Sequence, residues 1–158
     1  MLSFALDRAL WGASAPGFHA TNGLCHLAVA WLVGALARAV GLAPGVALAS
    51  ALVFAAHPVQ AEAVTYVSGR TDPLCALFVL LALLAWRRAR APLDRFALAA
   101  AAAVVLALLA KEAAALVPLV LLVPGAHPDV RPPRPWLPVA VGALWLATWS
   151  TGGLDADR

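Results

Sequence analysis

The residues best suited to chemistry lie in one polar stretch, residues 57–72, between two apolar segments. The stretch carries five such side chains: His57, Glu62, Tyr66, Arg70 and Asp72. Glu62 and Tyr66 are four residues apart and therefore share one face of a helix. These groups could bind an anion or move a proton, or they could only cap a helix and anchor it at a membrane surface. Spacing alone leaves both interpretations open.

A second polar pair, Lys111-Glu112, interrupts a long apolar region. Adjacent opposite charges can neutralise each other at an interface, which is a purely structural interpretation. A lysine acting together with an arginine also suits a phosphate, because lysine supplies a point charge and arginine a bidentate fork. Both interpretations stay open for this pair.

The composition indicates a membrane protein. The chain is 63% hydrophobic and 12% charged, with a mean hydropathy of +0.87, whereas apolar residues make up about half of an ordinary soluble domain. Apolar segments separated by short polar stretches predict an all-α fold, a polytopic transmembrane helix bundle of about five to six spans. The net charge of +3 is interpreted as a topology signal, and no nucleic-acid partner is expected. Cys25 and Cys75 fall inside predicted spans, so no disulfide is expected.

The predicted organisation is an interfacial amphipathic helix over residues 1–17, a transmembrane core over 18–149 and a polar tail over 150–158. In the first helix Trp11 is expected at headgroup level, with a break at Ala15-Pro16-Gly17. The segments expected to enter or cross the membrane are 18–40, 46–56, 73–86, 95–110, 113–123 and 136–149.

A second short surface helix is predicted over residues 58–67, because Pro58 suits a first helical turn. Gly69 is expected to end it in a left-handed conformation. Asp72-Pro73 is then expected to provide the N-cap and first residue of the next helix.

The basic residues predict an orientation. If residues 57–72 face outward, seven arginines lie on the cytoplasmic side and four basic residues lie outside, as the positive-inside rule requires. The same arrangement places one set of candidates on a single membrane face: His57, Glu62, Arg70, Asp72, Lys111 and Glu112. This convergence favours chemistry on a substrate held at the membrane surface.

His19, Asn22 and His26 share one face of the first predicted span. Polar groups at membrane depth are functional candidates, and the alternative is interhelical hydrogen bonding. We expect no metal site, since His19, His26 and His57 would have to converge with fixed geometry.

One ordered pattern resembles a known family. It begins with His57-Pro58, continues through Glu62-Ala63-Val64 and Ser68-Gly69-Arg70-Thr71-Asp72, and is followed by Lys111-Glu112 and Pro118. This pattern resembles the membrane-embedded GT-C glycosyltransferases, in particular the transmembrane-and-TPR protein O-mannosyltransferases and their bacterial relatives. Phe18-His19-Ala20-Thr21-Asn22, with His26, is similar to the span that follows the first outer loop in that family.

The resemblance implies an enzyme that moves mannose or a similar hexose from a polyprenyl-phosphate donor to an acceptor, a protein hydroxyl or a glycan. It assigns Arg70 and Lys111 to the donor phosphate. Pocket or orienting roles fall to His57, Glu62, Asp72, Glu112, His19 and Asn22. No other cofactor is expected.

In such families the catalytic acid, which serves as general base, lies in the first outer loop, so the role is not carried over to Asp7. The resemblance leads us to expect that the chain is a piece of a larger enzyme, lacking the first span, the acidic loop and the TPR region. The expected location is the bacterial inner membrane with the active face outward. Two alternatives stay open. One is a transporter-like protein, although transporters usually bind at the membrane midplane and the charges here cluster at one interface. The other is a purely structural membrane module.

Overall fold

The structure is a computed structural model, and it describes residues 2–12, 14–61, 65–121 and 136–152. Within these ranges the regular structure is helical and contains no strand, which confirms the predicted all-α class. The chain divides into two compact units, Met1–Leu77 and Phe78–Arg158.

The first unit is built on a helical hairpin. Helix α1 (Leu2–Trp11) precedes α2 (Ala15–Ala39), which pairs with α3 (Pro44–Ala56). The turn between α2 and α3 is a Schellman motif: Gly41 has φ +94°, and the Leu42 N–H donates to Ala37 O at 3.0 Å. Pro44 starts α3 at a position where its missing N–H costs nothing.

Small residues let α2 and α3 approach closely. A Cβ added at Gly34 would lie 3.3 Å from the Cβ of Ala51 and 3.4 Å from the carbonyl oxygen of Ala47. Further along the pair, His26 Nε2 donates to Ala55 O at 3.1 Å and the His26 ring stacks on Phe54. Because a carbonyl only accepts, this bond fixes the proton on Nε2. These contacts are the kind that hold helices together in a membrane.

Several large apolar side chains of the first unit are exposed, whereas some of its polar side chains are buried. On α2, Leu24, Leu27 and Trp31 are 66%, 60% and 72% exposed, whereas Asn22 and His26 are buried. Exposed apolar surface of this extent indicates contact with lipid or protein. Helix α2 is also the one described helix that is long and apolar enough to cross a membrane. The other described apolar helices are shorter, so the five-to-six-span bundle stays a prediction.

The predicted break at Ala15-Pro16-Gly17 is wrong, because Pro16 lies in the first turn of α2, a position that proline favours. The chain instead turns at Gly12, which has φ +65°. Gly17 serves packing: a Cβ there would lie 2.5 Å from the Cβ of Trp11.

The described part of residues 57–72 contains two 3₁₀ turns, and the middle of the helix predicted over 58–67 lies outside the described residues. A 3₁₀ turn, Pro58–Gln60, is capped by His57, whose Nδ1 accepts from the Val59 N–H at 3.2 Å. A second 3₁₀ turn, Val67–Arg70, leads directly into α4 (Thr71–Trp86). Residues 62–64, including the predicted pocket residue Glu62, lie outside the described residues.

Two predictions about this stretch are wrong. Gly69 lies within the second 3₁₀ turn, and the described positive-φ residues are Gly12 and Gly41. Asp72 lies inside the first turn of α4, so it does not act as its N-cap. The chain keeps turning helically from Val67 to Trp86, which leaves no position for a left-handed stop.

The second unit contains the end of α4, helix α5 (Arg95–Ala110), a 3₁₀ helix (Glu112–Leu116), α6 (Val117–Leu121) and α7 (Trp136–Gly152). Helix α5 matches the predicted segment 95–110. The predicted segment 113–123 is split in its described part, and Glu112–Leu121 is too short for a straight crossing. The core of the second unit is a buried cluster of five residues: Trp86, Ala89, Ala97, Ala100 and Leu121.

Candidate functional site

A buried ion pair connects α1 to the turn before α4. Arg70 Nη2 lies 2.5 Å from Asp7 Oδ2, and the two side chains are 1% and 3% exposed. Burying two charges is costly unless their remaining hydrogen-bonding groups are also satisfied. The surroundings of Arg70 meet this requirement.

Each nitrogen of the Arg70 guanidinium donates to the protein. Nε donates to Asn22 Oδ1 at 2.7 Å, Nη1 donates to Ser3 O at 3.2 Å, and Nη2 also donates to Phe18 O at 3.2 Å. The guanidinium carbon lies 4.7 Å from the centre of the Phe4 ring and 5.9 Å from that of Phe18. Aromatic faces at these distances attract the cation further.

Asn22 and Asp7 extend the network along α2. Asn22 Nδ2 donates to Tyr66 O at 3.0 Å, so its oxygen must face Arg70, which only donates. Asp7 Oδ1 accepts from the Thr21 hydroxyl at 3.1 Å. The network therefore ties α1, α2 and the segment 65–70 into one rigid arrangement.

Asp7 was not predicted as the partner of Arg70, and the orienting role was expected of Asp72. On α1, Ser3 and Asp7 are four residues apart and share one face. The leucines of the same helix, Leu6 and Leu10, are exposed. A carboxylate that is buried while the leucines of the same helix are exposed shows that the polar side of α1 points into the protein.

The structure brings together two of the predicted site residues, Arg70 and Asn22. The other predicted site residues that the structure describes in the first unit, His19, His57 and Asp72, are exposed. His19 follows Phe18, and Asp72 lies two residues after Arg70. The backbone that carries His19 and Asp72 is therefore held close by through the hydrogen bonds of Phe18 and Arg70.

Lys111 and Glu112 lie in the second unit. Lys111 is the C-cap of α5, is half-buried, and donates its N–H to Ala107 O at 2.9 Å. A cation there is stabilised by the negative end of the helix dipole. Glu112 is exposed at the start of the following 3₁₀ helix.

The chemistry available to the first unit follows from this geometry. The Arg70 charge faces inward and its donors are engaged, so an external anion would have to displace Asp7 to reach it. The groups presented outward beside the network are the His19 imidazole, the Tyr66 side chain and the Asp72 carboxylate. Arg70, Asn22 and Asp7 thus position a polar surface.

Comparison with known proteins adds relatives of one kind. The chain is 40% identical over 103 residues to protein O-mannosyl-transferase TMTC4 of Homo sapiens, covering 56% of this chain and 14% of that protein. It is 39% identical over 89 residues to protein O-mannosyl-transferase Tmtc2 of Drosophila melanogaster, covering 56% of this chain and 10% of that protein. It is 40% identical over 89 residues to protein O-mannosyl-transferase TMTC1 of Mus musculus, covering 56% and 9%.

No family model and no solved structure matches the chain. The alignments span 14% or less of the length of these three relatives. Over about half of its own length, this chain is similar to protein O-mannosyl-transferases.

Proposed function

We propose that the chain is part of a membrane-embedded glycosyltransferase that moves mannose from a polyprenyl-phosphate donor to a protein hydroxyl. The observation that carries this proposal is its 40% identity over 103 residues to a protein O-mannosyl-transferase. The sequence pattern around Arg70 and Lys111 points to the same class of enzyme.

The first unit supports a membrane setting. The exposed leucines and tryptophan of α2 suit lipid tails. Four polar side chains of that unit, Asp7, Asn22, His26 and Arg70, are buried, where they avoid contact with lipid that would leave them unsatisfied. We place the polar surface beside Arg70 on the outer side of the membrane, as the distribution of basic residues favours.

The proposed roles of the two cations differ. Arg70 acts as a positioning residue in the state described, since Asp7, Asn22 and two carbonyl oxygens take up its guanidinium. Donor phosphate would contact Arg70 only by replacing the Asp7 carboxylate, one oxyanion for another. Lys111, half-buried at the end of α5, is the proposed direct contact to the donor phosphate, and Glu112 beside it orients the ammonium group.

The test is donor binding by the chain reconstituted in lipid nanodiscs, with polyprenyl-phosphate mannose as the probe. We expect saturable binding that Lys111→Ala weakens at least tenfold, about 1.4 kcal/mol. Arg38→Ala, which removes an exposed arginine at the opposite end of α2, is the control and leaves binding unchanged. A folded, inserted chain that binds no donor would overturn the proposal.

The same network also suits a structural membrane module, because an Arg70 whose three guanidinium nitrogens all donate within the protein can serve stability alone. A measurement of mannosyl transfer distinguishes the glycosyltransferase from the structural module. A chimera in which this chain replaces the matching segment of human TMTC4 should keep O-mannosylation if the segment belongs to the enzyme, and an inserted, folded chimera without transfer would favour the structural module.

A further inference from the structure

The second unit carries a basic pocket where α4 gives way to α5. A cavity of about 790 Å³ is lined by four arginines, Arg87, Arg88, Arg90 and Arg95, together with Ala89, Asp94 and Phe96. The four cations lie within nine residues of sequence, at the ends of two apolar helices. Neither the relatives nor the proposed mannosyl transfer assigns a role to this pocket.

The single negative charge of Asp94 leaves the four arginines in excess, and its carboxylate is engaged with backbone N–H groups. Oδ2 accepts from the N–H of Arg90 at 2.6 Å and of Ala91 at 3.3 Å. Oδ1 accepts from the N–H of Phe96 at 3.0 Å and of Ala97 at 2.7 Å. Asp94 therefore caps α5 and fixes the loop that presents the arginines.

The floor of the pocket is rigid and apolar. Ala89 is fully buried in the core cluster with Trp86 and Ala97, and Phe96 packs against that cluster. The Arg95 guanidinium lies 4.8 Å from the centre of the Phe96 ring, which orients it by a cation–π contact. Ala89 and Phe96 thus anchor the loop that carries the arginines to the core of the second unit.

Two of the arginines keep their donors for a ligand. Arg88 and Arg90 are exposed, and no hydrogen bond or ion pair joins either guanidinium to another described residue. Several like charges held together repel one another, so an oxyanion bound between them lowers the energy of the loop. Guanidinium groups match the oxygens of a phosphate in paired, bidentate bonds.

We propose that this pocket binds a phosphate group, and that the phosphate belongs to the headgroup of an anionic phospholipid. The cavity is larger than a phosphate alone and falls in the usual size range of small-molecule sites. Apolar helices α4 and α5 adjoin it and offer surface for acyl chains, and basic clusters at the ends of membrane helices attract anionic lipids. A soluble phosphate would use the charge and leave that apolar surface unused.

The test extracts the full chain from vesicles of equal phosphatidylglycerol and phosphatidylcholine and counts bound lipid by native mass spectrometry. Wild type should retain phosphatidylglycerol in preference to phosphatidylcholine. In the Arg88→Gln/Arg90→Gln double variant, the ratio of bound phosphatidylglycerol to bound phosphatidylcholine should fall at least tenfold. The Arg8→Gln/Arg38→Gln variant, which removes two exposed arginines of the first unit, should keep it.

A second arm separates the two sources of phosphate. Inorganic pyrophosphate at millimolar concentration should not displace the bound phosphatidylglycerol. Full displacement would show a site for soluble phosphates and overturn the lipid assignment. Helical circular dichroism checks that the variants fold. A folded wild type with no preference, or a folded double variant that keeps it, would show that the arginines serve only membrane orientation.

Discussion

Arg70 and Asp7 are 63 residues apart in the sequence and form a buried ion pair at 2.5 Å. The pair closes a loop that contains the end of α1 and all of α2 and α3, so it joins two segments near the ends of the first unit. Since five further groups share the network, its energy depends on all of them being in place.

Removing one partner of this pair should be more harmful than removing both. Asp7→Leu leaves the Arg70 charge buried and unpaired, and loss of one partner of a buried pair costs about 3–5 kcal/mol of unfolding free energy. Asp7→Leu/Arg70→Met removes both charges and should be more stable than either single variant. Unfolding titrations in detergent micelles, followed by tryptophan fluorescence, measure the three values.

Arg8→Met is the control for this cycle, because Arg8 neighbours Asp7 in sequence but is exposed. Its effect should stay within about 0.5 kcal/mol. If the Asp7 and Arg70 substitutions add within about 0.5 kcal/mol, the two residues are not coupled and the network is not a unit.

Asn22 should matter more than Thr21, although the two are neighbours on α2 and both belong to the network around Arg70. Asn22→Ala strands both Arg70 Nε and the Tyr66 carbonyl, at about 1–3 kcal/mol for buried groups left unsatisfied. Thr21→Ala removes one bond to Asp7, and the Asp7 carboxylate keeps Arg70. Equal losses of stability in micelles would contradict the central place of Asn22.

The extent of the apolar helices could be predicted, because hydropathy is a local property. Helix α5 begins and ends where the pattern placed it, and α2 differs mainly at Pro16, a residue that breaks a helix or starts one equally well. The prediction that Gly69 ends a helix was wrong for a similar reason. A glycine permits a left-handed turn without requiring it, and the next residues continued the helix.

The partner of Arg70 could not be predicted in the same way. Asp72 was the nearer carboxylate in sequence, whereas Asp7 becomes a neighbour only after α1 folds back on α2. Asn22 was recognised as polar at membrane depth, yet its two hydrogen bonds depend on the same tertiary contact. Local patterns identify the members of a buried network, and the fold decides how they pair.

Two glycines of α2 should respond oppositely to alanine. Gly17→Ala places a Cβ 2.5 Å from Trp11 and should destabilise the protein by about 1–3 kcal/mol through overpacking. Gly23→Ala meets nothing within 4 Å and should stabilise by up to about 1 kcal/mol through helix propensity. Thermal unfolding in micelles compares them. Gly17→Ala/Trp11→Ala should recover much of the loss, and a failure to recover would show that Trp11 is not the obstacle.

Asp94 should make the stability of α5 depend on pH. Four backbone N–H bonds, that of Arg90 foremost, lower the pKa of Asp94 below its ordinary value. A carboxyl with a lowered folded pKa contributes stability that is complete above the unfolded pKa, about 4. This stability is lost as the pH falls through the folded pKa.

Asp94→Asn should keep the cap, since asparagine is also a good N-cap, but lose this acid-dependent part of the stability. Asp94→Ala should lose both. An acid titration of helical circular dichroism in micelles distinguishes the three proteins. If Asp94→Asn and the wild type lose helix over the same pH range to the same extent, Asp94 does not carry the acid dependence.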